Sequence, residues 1–398
     1  MHPDYVLRGK LLDEMRMLWL SPSRECKEAI ALGLLRDGQY ELALDSFEEL
    51  IEGGHPTPTW LHEIFIYVFS DAGFHDESLA LLRHRALDDD DPHSTHVWFY
   101  VLESCSKALH YQGTAYIWNE MVTEGKINPP DGTVLAVLNT ASRFGDVTLA
   151  TDALRVLSNR NTRLAVHHFE ALLDTYVGQG DVVNALRALC IMAAAGNEAD
   201  FRSTRPLFRR LVESSESLAV ASKALVHLTS ERPVPLSAFN VVLEATVVSL
   251  GLDRAMDLYR SVRQICGTPP DLATFAILLG RSEDEDLARF LVREMEAFSI
   301  AADLETYELL VRGSVRCGNT DLALDYVFEM SDKNSSWWVT EQTAEKLAEQ
   351  GILEQNPRIW RFVEGCKAKG VAIPPGLLES LKDRVREQAA AGSGAATP

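Results

Sequence analysis

The chain has 398 residues, 46% of them hydrophobic and 24% charged, which is a globular composition with ample apolar surface to bury. Its formal net charge of −20 argues against a protein that coats nucleic acid non-specifically, because phosphate contacts need a surplus of Lys and Arg. The charge is uneven, since residues 151–230 hold nine Lys and Arg against eight Asp and Glu. A neutral or basic surface can therefore lie within an acidic molecule.

The six cysteines are spread widely and form no Cys-x-x-Cys pair, and no histidine cluster has zinc-ligand spacing. The sequence therefore predicts no metal site and no cofactor, and it indicates a reducing or mixed compartment. No apolar run approaches the roughly 18 residues of a membrane span. No phosphate loop, nucleophile elbow or paired-carboxylate motif is present, so we expect a protein that is not an enzyme and has no small-molecule substrate.

Residues 1–22 predict an amphipathic helix, because apolar side chains recur at helical spacing. The stripe consists of Leu7, Leu11, Leu12, Met15 and Leu18. This helix either caps the first repeat or follows a presequence that is missing from this chain. The acidic residues Asp4, Asp13 and Glu14 make the segment itself a poor organelle presequence.

From residue 23 onward the chain repeats one plan, in which an apolar helix, a turn and a second amphipathic helix follow each other. The first unit runs from Ser23 to Pro58 and turns at Asp37-Gly38. Later units turn at a glycine in most cases, and the sixth turns at Glu213-Ser-Ser-Glu. The predicted turn glycines of the later units are Gly73, Gly145, Gly180, Gly251 and Gly318.

The repeats loosen towards the end of the chain. Residues 23–338 form the predicted array, and residues 339–388 a terminal helix pair with a capping helix. The pair spans Glu341–Lys369 with Gly351 between its helices, and the cap spans Leu377–Gln388. Residues 389–398 are of low complexity and predicted to be disordered.

The spacing of equivalent residues fixes the period. Glu28 and Glu63 are 35 residues apart, and the same interval separates Glu170 from Arg205 and Arg205 from Asn240. An ordinary helical bundle does not produce this regularity. The sequence therefore predicts an all-α solenoid of about nine or ten antiparallel helix pairs.

Several units resemble the pentatricopeptide repeat family. The resemblance lies in Pro235-Leu-Ser-Ala-Phe-Asn, in Asp271-Leu-Ala-Thr-Phe-Ala and in Asp303-Leu-Glu-Thr-Tyr-Glu, and in second helices that contain Ala-Leu. It covers about residues 23–338. It implies a right-handed superhelix whose first helices line a groove, binding of single-stranded RNA, and a role in RNA processing, stability or translation in mitochondria or plastids. We expect a mitochondrial location on this ground.

In such proteins a base is selected by a polar residue of the first helix together with the last residue of the repeat. The matching first-helix positions are Glu28, Glu63, Glu170, Arg205, Asn240 and Glu308. The pair Asn240 and Asp271 resembles a recognised base-reading combination if one residue is inserted. The four glutamates depart from the family's pattern, because a carboxylate that faces the groove repels phosphate.

A basic and aromatic segment is the best local candidate for RNA contact. Its cations are Arg202, Arg205, Arg209 and Arg210, which lie among Phe201 and Phe208. Arginine binds phosphate and stacks on bases, and Arg202, Arg205 and Arg209 share a helix face. The alternative is a solvated face whose aromatic side chains pack between repeats.

Two functions remain open at this stage. The first is a non-enzymatic organellar factor that contacts single-stranded RNA through a few central repeats. The second is a protein scaffold whose acidic groove holds a basic partner, with charge complementarity setting the rate and selectivity of association.

Overall fold

The computed structural model describes residues 5–53, 57–86, 95–160, 162–282, 284–334, 338–377 and 379. These residues form α-helices and connecting turns, with no β-strand among them. The chain forms two compact units, Met1–Gln179 and Gly180–Pro398, which we call the N-terminal and C-terminal units. The boundary falls at Gly180, the predicted turn of the fifth helix pair.

The N-terminal unit begins with helix α1, Tyr5–Met17. The first helices of its repeats are α2 Arg24–Arg36, α4 Thr59–Ala72, α6 Thr95–Lys107, α8 Asp131–Phe144 and α10 Val166–Gln179. The second helices are α3 Tyr40–Glu52, α5 His75–Ala86, α7 Tyr111–Ile117 with a π-helical turn at Trp118–Val122, and α9 Val147–Asn159. The first helices α2, α4, α6 and α8 each pack on the second helix that follows and on the next first helix.

The C-terminal unit begins with α11, Val182–Ala194. Its first helices are α12 Phe201–Glu213, α14 Leu236–Leu250, α17 Leu272–Leu279, α19 Leu304–Arg316 and α21 Glu341–Leu353. The second helices are α13 Ser215–Glu231, α15 Leu252–Arg260 continued by α16 Val262–Cys266, α18 Glu285–Ala297, α20 Thr320–Lys333 and α22 Ile359–Lys369. The predicted all-α repeat solenoid is thereby confirmed.

Local chemistry explains where the helices begin and end. The Asp303 side chain accepts a hydrogen bond from the Thr306 backbone N–H at 2.8 Å and so caps the N-terminus of α19. Gly73 has a φ of 86° at the C-terminus of α4, a backbone conformation that favours glycine. The sixth pair turns without glycine. Ser214 has an extended backbone there, and its hydroxyl oxygen accepts a hydrogen bond from the Ser217 backbone N–H and so caps α13.

The sequence period recurs as hydrogen bonds between neighbouring repeats. The Tyr111 hydroxyl donates to Asp146, 35 residues later, at 2.9 Å. Tyr259 donates to Glu294 over the same sequence distance at 3.2 Å. These two contacts join neighbouring repeats across the predicted interval of 35 residues.

The apolar core lies between the layers of first and second helices. In the N-terminal unit Phe47 of α3 stacks on Phe65 of α4 with ring centroids 4.4 Å apart, and both side chains are fully buried. In the C-terminal unit Phe239 and Phe275 are fully buried in the same layer. No helix in the described part of the chain is both long and apolar enough to cross a bilayer.

The ends of the repeat array differ from the expectation in two places. Leu7 and Leu11 of α1 are exposed, and this helix instead contacts α2 through an ion pair between Arg8 and Asp37. Gly351 was wrongly placed between the last two helices: it lies inside α21, directly against Ile359. The predicted cap Leu377–Gln388, except for Leu377 and Glu379, and the predicted tail 389–398 lie outside the described residues.

Candidate nucleic-acid interface

The first helices of the C-terminal unit enclose an open groove of about 930 Å³. Helices α12, α14, α17 and α19 each contribute side chains to it. Its floor is apolar and includes Phe208, Val241, Val248, Ile277 and Leu309. The groove is therefore large enough for several aromatic or apolar groups, with polar side chains at its margins.

Arg205 lies at the α12 edge of this groove. Its guanidinium carbon is 4.3 Å from the ring centroid of Phe201 and 4.4 Å from that of Phe208. Its Nη1 atom is 3.1 Å from the Glu244 carboxylate of α14. Phe201 remains 61% exposed, so the outer part of its ring is open to a stacking partner.

Glu244 is a partly buried acid on the groove wall. Burial raises the pKa of this carboxyl, and the neighbouring Arg205 guanidinium opposes that shift. Arg205 is thus neutralised in part by Glu244 and is held in place by two aromatic rings.

The other predicted arginines do not line the groove with Arg205. Arg202 and Arg209 are exposed on α12 and are not among the groove-lining side chains. Arg210 is half-buried with its guanidinium against the Gly180 turn, where a Cβ atom would lie 3.0 Å from Nη2. Of the four arginines, Arg205 is therefore the one that lines the described groove.

The structure brings Asn240 and Asp271 together at the groove margin. The Asn240 Nδ2 atom donates to Asp271 at 3.1 Å, and Asn240 Oδ1 accepts from the Thr274 hydroxyl at 2.8 Å. Asp271 also caps α17 by accepting from the Thr274 backbone N–H at 2.8 Å. Asn240 is only 8% exposed, and both polar atoms of its amide are engaged within the protein.

Glu308 occupies the equivalent position on α19 and is also turned inward. Its carboxylate accepts from the Thr340 hydroxyl at 2.6 Å, from the Thr340 backbone N–H at 3.3 Å and from the Thr343 hydroxyl. Arg312 lies 3.3 Å away as its ion-pair partner. Glu308 as a whole is 9% exposed. Its carboxylate therefore holds the first turn of α21 against α19.

The three glutamates of the N-terminal unit have different partners. Glu28 forms an ion pair with Arg24 on its own helix at 3.0 Å. Glu63 pairs at 3.0 Å with Arg85 of α5, whose side chain is only 5% exposed. Glu170 lies near Asp174 of α10. Partial burial raises the pKa of Asp174, and the negative charge of Glu170 raises it further.

Sequence reasoning missed a second group of cations next to the groove. A smaller cavity of about 240 Å³ shares Gly280 and Leu309 with the groove. Its basic lining residues are Arg312, Arg316 and Lys346, and Arg281 lines the groove nearby. Arg312 and Arg316 lie four and eight residues after Glu308. Extending the 35-residue register by one and two helical turns would have found them.

Some of these cations have no acidic partner. Arg316 donates to the Gly280 carbonyl at 3.0 Å, and Arg312 donates to the Thr343 hydroxyl at 2.9 Å. Arg281, Arg316 and Lys346 are exposed and form no ion pair with any described residue. Their charges are therefore open to an anion.

Comparison with known proteins agrees with this architecture. Residues 131–262, which include helices α8 to α15, match the family model described as pentatricopeptide repeat-containing protein. No curated protein gives a significant match to the chain.

Among solved structures, the chain is similar to the pentatricopeptide repeat protein PPR10 from maize, with 15% identity and a TM-score of 0.38. That alignment covers 94% of this chain but only 62% of the maize chain. A structure of PPR10 in complex with an 18-nt psaJ RNA element aligns with 15% identity and a TM-score of 0.34 over 96% of this chain and 75% of that one.

Proposed function

The chain is a helical-repeat protein of the pentatricopeptide type, and we propose that it binds single-stranded RNA along the first helices of its C-terminal unit. One observation carries this proposal. The stack of Phe201, Arg205 and Phe208 stands at the edge of an open groove whose floor is apolar. Single-stranded RNA matches this surface, because its unpaired bases have flat apolar faces that can stack on aromatic rings and its phosphates are anionic.

The aromatic stack suits unpaired bases better than a duplex. A base can lie on the open face of Phe201, with the Arg205 guanidinium behind the ring adding positive charge. Stacking on an aromatic ring is tolerant of base identity and contributes about 1–3 kcal/mol per base. The bases of a double helix are stacked on each other and do not present these faces.

In the cell, we propose a non-enzymatic factor that supports mitochondrial RNA processing, stability or translation. The support is the family resemblance of the repeats, since pentatricopeptide proteins typically act on organellar transcripts. Imaging and fractionation of the protein expressed from its own gene with a C-terminal tag test the location. A cytosolic signal alone would contradict it.

The binding proposal is tested by fluorescence anisotropy of the full chain with a labelled, unstructured RNA. We expect Phe201→Ala combined with Arg205→Ala to weaken binding about tenfold or more, because a stacking platform is lost. The matched control is Arg143→Ala, which removes an exposed arginine from the first helix α8 of the N-terminal unit. It should bind RNA like the unmodified protein, and circular dichroism should show that every variant is folded.

The outcome also separates the two functions left open by the sequence. If the unmodified chain fails to bind any unstructured RNA, the proposal is wrong. Selective capture of a basic protein in that case would favour the scaffold function.

A further inference from the structure

We infer that the groove of the C-terminal unit accepts single-stranded RNA without selecting its base sequence, with bases on the apolar floor and phosphates at Arg316 and Lys346. This inference rests on the proposed function and specifies which RNA the groove takes. It follows from three features: the state of the first-helix polar residues, the chemistry of the floor, and the position of cations that lack an acidic partner.

The first-helix polar residues are already hydrogen-bonded inside the protein. Both polar atoms of the Asn240 amide are engaged, by Asp271 and by the Thr274 hydroxyl. Selecting a base through Asn240 would require these bonds to break in a residue that is 8% exposed. Because buried polar groups are costly to leave unpaired, this position favours its internal partners over a base edge.

The neighbouring equivalent positions are also unsuited to base selection. Ala276 of α17 has no hydrogen-bonding side chain. Glu308 of α19 is held by Thr340 and Thr343, and Arg205 of α12 is fixed between two rings and paired with Glu244. At the position that would select a base, these four successive first helices thus present an alanine or a polar side chain that already has a partner within the protein.

The apolar side chains between these helices can recognise only shape and apolarity. Val241, Val248, Ile277 and Leu309 line it, and none of them can distinguish the hydrogen-bonding edges of the four bases. An unpaired base gains apolar contact there whatever its identity. The floor therefore contributes affinity but little sequence preference.

Phosphate contacts supply the second part of the affinity. Arg281 lies in the turn after α17, Arg316 ends α19 and Lys346 lies on α21, and none of the three forms an ion pair with a described carboxylate. Contacts to phosphate position a strand and carry no direct sequence information. Because the cavity that holds Arg316 and Lys346 adjoins the groove at Gly280 and Leu309, a strand on the floor can continue onto these cations.

Most acidic residues of the groove have partners within the protein other than Arg281, Arg316 and Lys346. Asp200 and Asp271 cap the N-termini of α12 and α17, and Glu244 pairs with Arg205. Glu305 at the start of α19 is the remaining groove carboxylate among the described lining residues. The whole chain is strongly acidic, so the inferred binding is confined to this groove and differs from general coating of nucleic acid.

The test measures the affinity of the full chain for fluorescently labelled oligonucleotides of equal length: poly(U), poly(C), poly(A) and an unstructured mixed sequence. We expect dissociation constants within about fivefold of one another, below the roughly tenfold discrimination that one bidentate base contact supplies. Asn240→Ser should leave the ratios between sequences unchanged.

The phosphate contacts are tested with Arg316→Ala combined with Lys346→Ala. This variant should weaken binding to all four RNAs by a similar factor, about tenfold. It should also flatten the slope of log affinity against log salt by about 1.4, the value for two phosphate contacts on a single strand. The matched control is Lys223→Ala combined with Arg254→Ala, which removes two exposed cations from second helices of the same unit. Lys346→Ala alone serves if the double variant is unstable, since this exposed side chain has no described ion-pair partner.

The results separate the inference from the proposed function. Binding of one sequence more than about thirtyfold above the others, with that preference lost in Asn240→Ser, would overturn the inference while RNA binding stands. Equal loss in the control double variant would also overturn it, because the effect would then be net charge. Failure of all four RNAs to bind would reject the proposed function itself. Competition by inorganic phosphate at constant ionic strength distinguishes a free-phosphate site, since RNA held by floor and phosphates together should resist it.

Discussion

The two units use the same position of the repeat in different ways. In the N-terminal unit Glu28 and Glu63 pair with arginines of their own helix or helix pair, Arg24 and Arg85. In the C-terminal unit Asn240 and Glu308 instead bond to the first turn of the next first helix. A polar residue at one register position can therefore stabilise a single repeat or join two repeats, depending on which partner the neighbouring sequence supplies.

The units also differ in charge. The N-terminal unit has 14 Lys and Arg against 27 Asp and Glu, and the C-terminal unit has 24 against 31. The cations without described acidic partners that line the groove and its adjoining cavity belong to the C-terminal unit. Net charge alone therefore understates how well one part of an acidic protein can attract phosphate.

The largest expected effect tests the pairing within a repeat. Glu63→Ala removes an acid beside the nearly buried Arg85 guanidinium, and we expect unfolding in urea to show a loss of about 3 kcal/mol in stability. Glu63→Gln keeps an acceptor and should lose less. A loss below about 1 kcal/mol would mean that the remaining contacts of Arg85 are sufficient to hold its charge.

An intermediate effect tests the bond between repeats. Glu308→Ala leaves the Thr340 and Thr343 donors without their acceptor, and we expect a cost of about 2 kcal/mol, with faster hydrogen exchange at the start of α21. Glu28→Ala is the matched change in the N-terminal unit. It breaks a partly exposed ion pair along one helix and should cost at most about 0.5 kcal/mol. Equal costs would remove the distinction between the two units.

The smallest effect concerns pH. Burial raises the pKa of Glu244 above that of an ordinary glutamate. In the pH window just above the ordinary value, the folded state therefore keeps a proton that the unfolded state has lost. Stability from this group therefore falls as pH rises through the window, and Glu244→Gln should remove that slope, an effect below about 1 kcal/mol.

Asp174 is the residue of the N-terminal unit that corresponds to Glu244. It lies four residues after Glu170, just as Glu244 lies four residues after Asn240. Its pKa is raised by burial and further by the charge of Glu170. Asp174→Asn should therefore increase stability at neutral pH, measured by urea unfolding at pH 5 and 7. A decrease at pH 7 would show that its ionised form is instead stabilised in the fold.

Much of the fold could be predicted because its signals are local. Apolar spacing, N-cap residues such as Asp303 and turn glycines such as Gly73 act within one or two helical turns. The placement of Gly351 failed because its role depends on Ile359, which packs on it from the next helix. The exposure of Leu7 and Leu11 on α1 could not be predicted either, since helical spacing shows an apolar face but not what covers it.

The candidate site was predicted only in part. The sequence located Arg205 and the neighbouring Asn240 and Asp271, because the register and the local composition single them out. It grouped Arg202, Arg209 and Arg210 with them, although these side chains lie off the groove lining. It missed Arg316 and Lys346, since two cations 30 residues apart become neighbours only when α19 packs on α21.

The sequence by itself determined the helix pairs, their period and the identity of the polar residue at each register position. It could do so because helical periodicity and end-capping depend on residues that are close in the chain. Only the tertiary structure decided what each polar residue does: Asn240 and Glu308 are occupied by the next repeat, whereas Arg316 and Lys346 remain open to an anion. Hydrogen-bond partners more than 30 residues away are chosen by packing, and packing is not contained in any local pattern.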